Sequence, residues 1–161
     1  MKRKLKIGVC GPHVCSKEER ELGRAVGAEI ARRGGILVCG GLGGLMEAAA
    51  EGAKGEGGLT VGILPGDEAA DANPFIDVAL PTGLGAVRNA LLVRACDTVI
   101  AIHGGYGTLS EIAFALRLGV PVVGLNTWSV ARDGKTDPGI YTADDPDSAV
   151  AAAFRLAGKP R

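Results

Sequence analysis

The chain has 161 residues, enough for one domain, and it is 47% hydrophobic but only 4% aromatic, so its core must be built from aliphatic side chains. Lys plus Arg and Asp plus Glu number 18 each, and this zero formal charge argues against a nucleic-acid partner or a polybasic membrane patch. No apolar run is long enough to span a bilayer, and the apolar run Leu5 to Cys10 after the basic opening Met1-Lys2-Arg3-Lys4 is too short for a secretory leader.

The cysteines at 10, 15, 39 and 96 form no CxxC and no zinc spacing, so no metal site is expected. Cys10, Cys39 and Cys96 sit among apolar residues and read as small buried hydrophobes, and Cys15 as the most exposed. The expected compartment is a reducing cytoplasm.

In chain order, Leu5 to Cys10 reads as a first strand, ended by Gly11-Pro12-His13. Ser16 can cap a helix that carries Glu18, Glu19 and Glu21 near its start and stops at Gly34-Gly35. Ile36 to Cys39 is a second strand. Gly40-Gly41-Leu42-Gly43-Gly44 leads from it into a helix over Leu45 to Lys54. Thr60 to Leu64 is a third strand, stopped by Pro65-Gly66, and a loop follows in which Glu68 to Ala72 could form a short helical turn.

Ile76 to Leu80 is a fourth strand. Leu84 to Ala95 reads as a helix with Val87, Leu91 and Leu92 on one face. Thr98 to Ile102 is a fifth strand, apolar and β-branched as a buried parallel strand requires. After it come His103-Gly104-Gly105-Tyr106-Gly107, then a helix from Thr108 to Leu118 with Leu109, Ile112, Ala113 and Leu116 at helical spacing. Thr108 suits the N-cap and Glu111 the reciprocal carboxylate of a capping box. Gly119 ends this helix, Pro121 to Leu125 is a sixth strand, and Pro146 to Ala157 a last helix capped by Asp144 or Asp145. The stretch Asn126 to Asp145, with the only Trp, carries no clear pattern.

Strands and helices that alternate in this way imply crossover connections. The expected fold is α/β, one Rossmann-like domain over residues 1–161 with a doubly wound parallel sheet and helices on both faces. Ligands of such sheets bind at the carboxyl ends of the strands. Both glycine turns lie at strand carboxyl ends, and each aims the N–H groups and dipole of a helix N-terminus outward. One such turn is a weak signal; two in a short chain point to a shared phosphate or nucleotide site. Candidate contacts are Gly40, Gly41, Gly43, Gly44 and Met46 from one turn, Gly104, Gly105, Tyr106, Gly107 and Thr108 from the other, and Gly11 and His13 from the first strand's end.

The motifs Arg88-Asn89, Ala95-Cys96-Asp97 and Gly104-Gly105-Tyr106-Gly107-Thr108-Leu109-Ser110-Glu111, with the other glycine turn ending in Gly44-Leu45-Met46, resemble the LOG-like superfamily, long mislabelled as lysine decarboxylases. The likeness covers roughly Leu5 to Asn126. It implies a nucleoside 5′-monophosphate as ligand, Glu111 as catalytic carboxylate and Arg88 as its partner. It also implies that Gly105, Gly107 and Thr108 hold phosphate, that Gly41, Gly43, Gly44 and Met46 shape the pocket, and that the protein is a homodimer or higher homo-oligomer. A carboxylate there could stabilise the positive charge that grows on a ribose as its glycosidic bond breaks.

Two positions depart from the superfamily's main pattern: His103 stands where it has proline, and Asn89 where it has lysine. Both departures, together with Gly62-Ile63-Leu64-Pro65-Gly66, Asn73-Pro74 and Thr82-Gly83-Leu84-Gly85, resemble the short-chain branch that includes the molybdenum cofactor carrier proteins. That likeness implies a carrier of a phosphorylated pterin or nucleotide; the main pattern implies a phosphoribohydrolase. A nicotinamide-dependent oxidoreductase is disfavoured because neither turn spells GxGxxG.

Several residues keep two readings. Glu111 is a catalytic carboxylate or only the capping partner of Thr108. Arg88 is an anion ligand or a surface helix residue. Asn89 contacts phosphate or sugar, or faces water. His103 and His13 are pocket contacts or structural turn residues, and Trp128 packs or meets a partner.

Overall fold

The computed structural model describes residues 3–158. Met1 and Lys2 of the basic opening run, and the last three positions of the expected domain, lie outside the described residues. A seven-stranded, wholly parallel sheet runs in the order β4-β3-β2-β1-β5-β6-β9. Its strands are β1 (Lys6–Cys10), β2 (Ile36–Cys39), β3 (Leu59–Leu64), β4 (Val78–Pro81), β5 (Thr98–Ile102), β6 (Val122–Leu125) and β9 (Ile140–Ala143). A two-stranded ribbon, β7 (Ala131–Arg132) with β8 (Lys135–Thr136), is set into the last connection.

The helices are α1 (Lys17–Arg32), α2 (Leu45–Gly55), α3 (Arg88–Ala95), α4 (Tyr106–Leu118) and α5 (Pro146–Ala157). On one face, Val26 and Ile30 of α1, Ala49 and Ala53 of α2 and Val150 of α5 pack with Ile7, Val9, Leu37 and Ile100. On the other, Leu92 and Val93 of α3 and Ile112 and Ala115 of α4 pack with Val38, Val99 and Val122. The α1–α2 contact is close because Gly27 and Gly52 have no side chains: a Cβ on Gly27 would stand 1.9 Å from the Ala49 carbonyl oxygen. The doubly wound parallel sheet expected from the alternating pattern is therefore the fold.

Three local expectations need correction. The helix expected over Leu84 to Ala95 is split: a 3₁₀ turn at Gly85–Val87 precedes α3, and the left-handed backbone of Gly85 (φ +54°) keeps a regular α-helix from starting at Leu84. Val87 and Leu91 are exposed while Leu92 is buried, so they do not share one face. The patternless stretch hides a strand of the main sheet, β9, which pairs only with β6 and has Tyr141 and Thr142 exposed.

The sheet order places the site. β1 lies between β2 and β5, and the chain winds outward to β4 before returning to β5 beside β1. α1 and α4 leave β1 and β5 toward opposite faces. Their connecting loops therefore part, and a crevice opens at the carboxyl ends of β1 and β5, where open α/β sheets bind ligands.

Candidate functional site

Gly11, Pro12 and His13 follow β1 into the crevice, and Leu42 and Met46 approach from the turn after β2. Arg88 and Asn89 open α3, and Gly105, Gly107, Thr108 and Glu111 belong to the start of α4 or precede it. Together with Cys10 they line a cavity of about 400 Å³.

The start of α4 is one turn earlier than expected. Its N-cap is Gly105, and Thr108 lies inside the first turn, buried, with no side-chain cap. Gly104 permits this: at φ +97° the backbone turns sharply, and a Cβ there would meet Thr108 Oγ1 at 2.2 Å. The first intrahelical bond runs from Leu109 N–H to Gly105 O at 3.0 Å, so the preceding N–H groups have no acceptor within the helix. A Cβ on Gly105 or Gly107 would meet nothing within 4 Å. The helix N-terminus thus faces open space, as an anion requires.

Glu111 consequently lies in the second turn of α4, not in a capping box. It is 7% exposed, on the buried face with Thr108, Ile112 and Ala115. Burial raises its pKa to about 7, although the Arg88 charge and the Cys10 thiol both lower it. The Cys10 thiol is itself pushed well above its ordinary value, first by burial and then by Glu111, so it remains a protonated donor.

Arg88 is also buried, at 8% exposure, which settles against a surface residue. Burial lowers its pKa against the pull of Glu111, yet a guanidinium remains charged in proteins. One of its nitrogens donates to Asn89 Oδ1 and another to Gly40 O at 3.4 Å. Its Nε is the one buried side-chain nitrogen or oxygen without a hydrogen-bond partner among the described residues. Such a donor is costly to bury unsatisfied, and a bound anion would satisfy it.

Asn89, 7% exposed, passes its amide N–H to Ser110 Oγ at 2.9 Å, and Ser110 donates to Gly107 O at 2.6 Å. Asn89 therefore ties Arg88 to the first turn of α4 rather than facing water.

The remaining candidates do not line this cavity. Gly40 lies behind Arg88, where a Cβ would stand 2.4 Å from its Nη2. Gly41, at φ +78°, packs on Leu64, and Gly44, at φ +68°, packs on the His13 carbonyl. Gly43 lies near His13 and Glu47. His103 and Gly104 line a neighbouring cavity, and Tyr106 is exposed with its ring 5.7 Å from that of Trp128.

Cys10, Pro12, Leu42 and Ser110 also belong to the site and were not singled out from the sequence. Cys10 reads as a core residue there; its signal is its place at the last position of β1, just before Gly11.

A family model, the SLOG cluster4 family, matches residues 4–150. The chain belongs to the SLOG cluster4 family. This agrees with the LOG-like superfamily resemblance of its glycine turns. A protein of Archaeoglobus fulgidus described only as uncharacterized is 46% identical over 121 residues, covering 75% of this chain and 80% of that protein. The molybdenum cofactor binding protein of Rippkaea orientalis is 33% identical with a TM-score of 0.87, covering 97% of this chain and 99% of that one. The molybdenum cofactor carrier protein of Chlamydomonas reinhardtii is 33% identical, also at 0.87, covering 98% and 100%. This SLOG cluster4 chain and the two molybdenum cofactor proteins thus share one architecture over nearly their whole length.

Proposed function

We propose that this protein binds and carries a phosphorylated ligand, the molybdenum cofactor or a related pterin or nucleotide phosphate, in the cavity between β1 and β5. The observation that carries the reading is its likeness, over nearly the full length of both chains, to proteins that bind or carry the molybdenum cofactor. The residues suit such a cargo. The open N-terminus of α4 and the unpartnered Arg88 Nε would hold the phosphate, and Gly105 and Gly107 leave room for close approach. Pro12, Leu42 and Met46 give the ligand's organic part an apolar wall.

The carrier works in the cytoplasm as a homodimer or higher homo-oligomer; the exposed Leu84, Val87 and Leu91 support a self-association face. No helix among the described residues is long and apolar enough to cross a membrane.

One observation favours a second reading, a nucleoside monophosphate phosphoribohydrolase. Glu111, with its pKa raised to about 7 beside Arg88, could serve a glycosidic bond as carboxylate or as acid. Incubation with AMP and with the molybdenum cofactor separates the two. A carrier retains the cofactor intact, loses it on Arg88→Ala and releases no adenine. A hydrolase releases adenine and ribose 5-phosphate, and Glu111→Gln abolishes the release.

A further inference from the structure

On the other side of the Gly104-Gly105 turn lies a second cavity, of about 530 Å³, whose walls include Glu19, His103, Asn126 and Trp128. Pro12 lines both cavities, and Gly104 and Gly105 fall on opposite sides of the division. The N-terminal turn of α4 therefore stands between two spaces, each large enough for a heterocycle.

The second space has costly walls. His103 (φ +46°) and Asn126 (φ +51°) are non-glycine residues in the left-handed region, a conformation that side-chain-bearing residues adopt at a cost. They directly follow Ile102 and Leu125, which are partners in the β5–β6 register. The remaining non-glycine residue of this kind, Asp133, is explained by the β7–β8 hairpin turn it occupies. Neighbouring side chains hold the strained loops: Thr127 Oγ1 donates to His103 O at 2.6 Å, and Trp128 Nε1 to Gly105 O at 3.1 Å.

The walls also offer polar groups. Glu19 Oε2 accepts from Ser16 N–H at 2.7 Å, while Oε1 lies 3.5 Å from His103 Nδ1, too far for a strong mutual bond.

We propose that the second cavity receives one arm of a pyrophosphate-linked dinucleotide whose phosphates sit at the α4 N-terminus and whose other arm fills the first cavity. This rests on the phosphate reading of the first cavity. A phosphomonoester has a single organic substituent and occupies one space; a ligand with organic arms on both sides of its phosphates occupies both. Doubly wound sheets accommodate such ligands across the crevice at this point of the topology. The Glu19 carboxylate accepts from an exocyclic amino group and the His103 ring exchanges a hydrogen bond with a ring nitrogen, a pattern that guanine and pterin both present.

The test uses the chain's one tryptophan, Trp128, as a fluorescent reporter beside calorimetry, with GMP and diguanosine pyrophosphate as probes. Two variants keep the fold. Glu19→Gln retains a capping-box residue at its position, and His103→Gly suits the left-handed backbone. The dinucleotide should bind wild type about tenfold or more tighter than GMP and alter Trp128 emission. Both variants should erase that advantage and leave GMP affinity within about twofold, whereas Arg88→Ala should weaken both probes. Equal affinities in wild type, or variants that weaken both probes alike, overturn the proposal. Absence of binding by either probe also overturns the proposal, while the phosphate reading is decided separately by retention of the molybdenum cofactor.

Discussion

In the turn from Gly40 to Gly44 three of four glycines make room for other parts of the chain; in the turn from Gly104 to Gly107 two of three glycines face open space. A Cβ on Gly44 would stand 2.0 Å from His13 O, and the first N–H of α2, that of Leu45, already donates to Pro12 O at 3.0 Å. Gly105 and Gly107 have no neighbour within 4 Å of a Cβ, and α4 offers its first N–H groups to a cavity. The same local grammar thus makes a packed joint in one place and leaves a helix N-terminus open to a cavity in the other. What separates them is the neighbour supplied from a distant loop: Pro12-His13 closes the first turn, and nothing comparable meets Gly105 or Gly107.

The largest effect expected from this contrast is on stability. Gly44→Ala adds a Cβ against backbone at a left-handed φ, so unfolding should cost about 3 kcal/mol less in a urea titration. A loss below about 1 kcal/mol would mean that this joint is not packed as described.

Arg88→Ala should weaken a phosphorylated ligand by roughly 100-fold, read by calorimetry, because a charge-assisted donor is removed from a dry site. An unchanged affinity would place the anion elsewhere.

The pH response of Glu111 is next in size. Burial raises its folded pKa from 4.5 to about 7, so the folded state retains a proton that the unfolded chain has lost. The stability this group contributes is complete below about pH 4.5 and declines as the pH rises through about 7. Glu111→Gln should flatten that decline by roughly 2 kcal/mol when unfolding is compared at pH 5 and pH 8. An identical slope in the variant would show that Glu111 ionises normally.

Gly107→Ala should change stability least, within about 0.5 kcal/mol, since the new methyl meets nothing and alanine suits a helix. Its effect should fall on the ligand, which loses close approach to the helix N-terminus. Loss of stability with unchanged binding would reverse the contrast between the turns.

The parallel sheet was legible because its central strands are apolar on both faces, as Thr98 to Ile102 illustrates. β9 was not, because an edge strand that pairs only with β6 can leave Tyr141 and Thr142 in solvent. The phase of α4 was misread for a reason tied to the site. Aliphatic spacing selects Leu109, Ile112, Ala113 and Leu116, but the buried positions include Thr108 and Glu111, and Ala113 is exposed. A carboxylate on the buried face breaks the hydrophobic pattern wherever a cavity needs it.

The residues gathered at the cavity, among them Arg88, Asn89, Gly105 and Glu111, could be named because their motifs resemble those of the LOG-like superfamily. The contacts of Cys10 and Ser110 could not, because both depend on α3 and α4 meeting beside β1.

The most direct measurement is native mass spectrometry of the protein purified from cells that make the molybdenum cofactor, followed by release and identification of the bound molecule. A carrier yields an intact phosphorylated pterin with its metal from the wild-type chain, and little or none from Arg88→Ala. A wild-type chain that retains no phosphorylated ligand from such cells, yet releases adenine and ribose 5-phosphate from AMP, would contradict the carrier and establish the hydrolase.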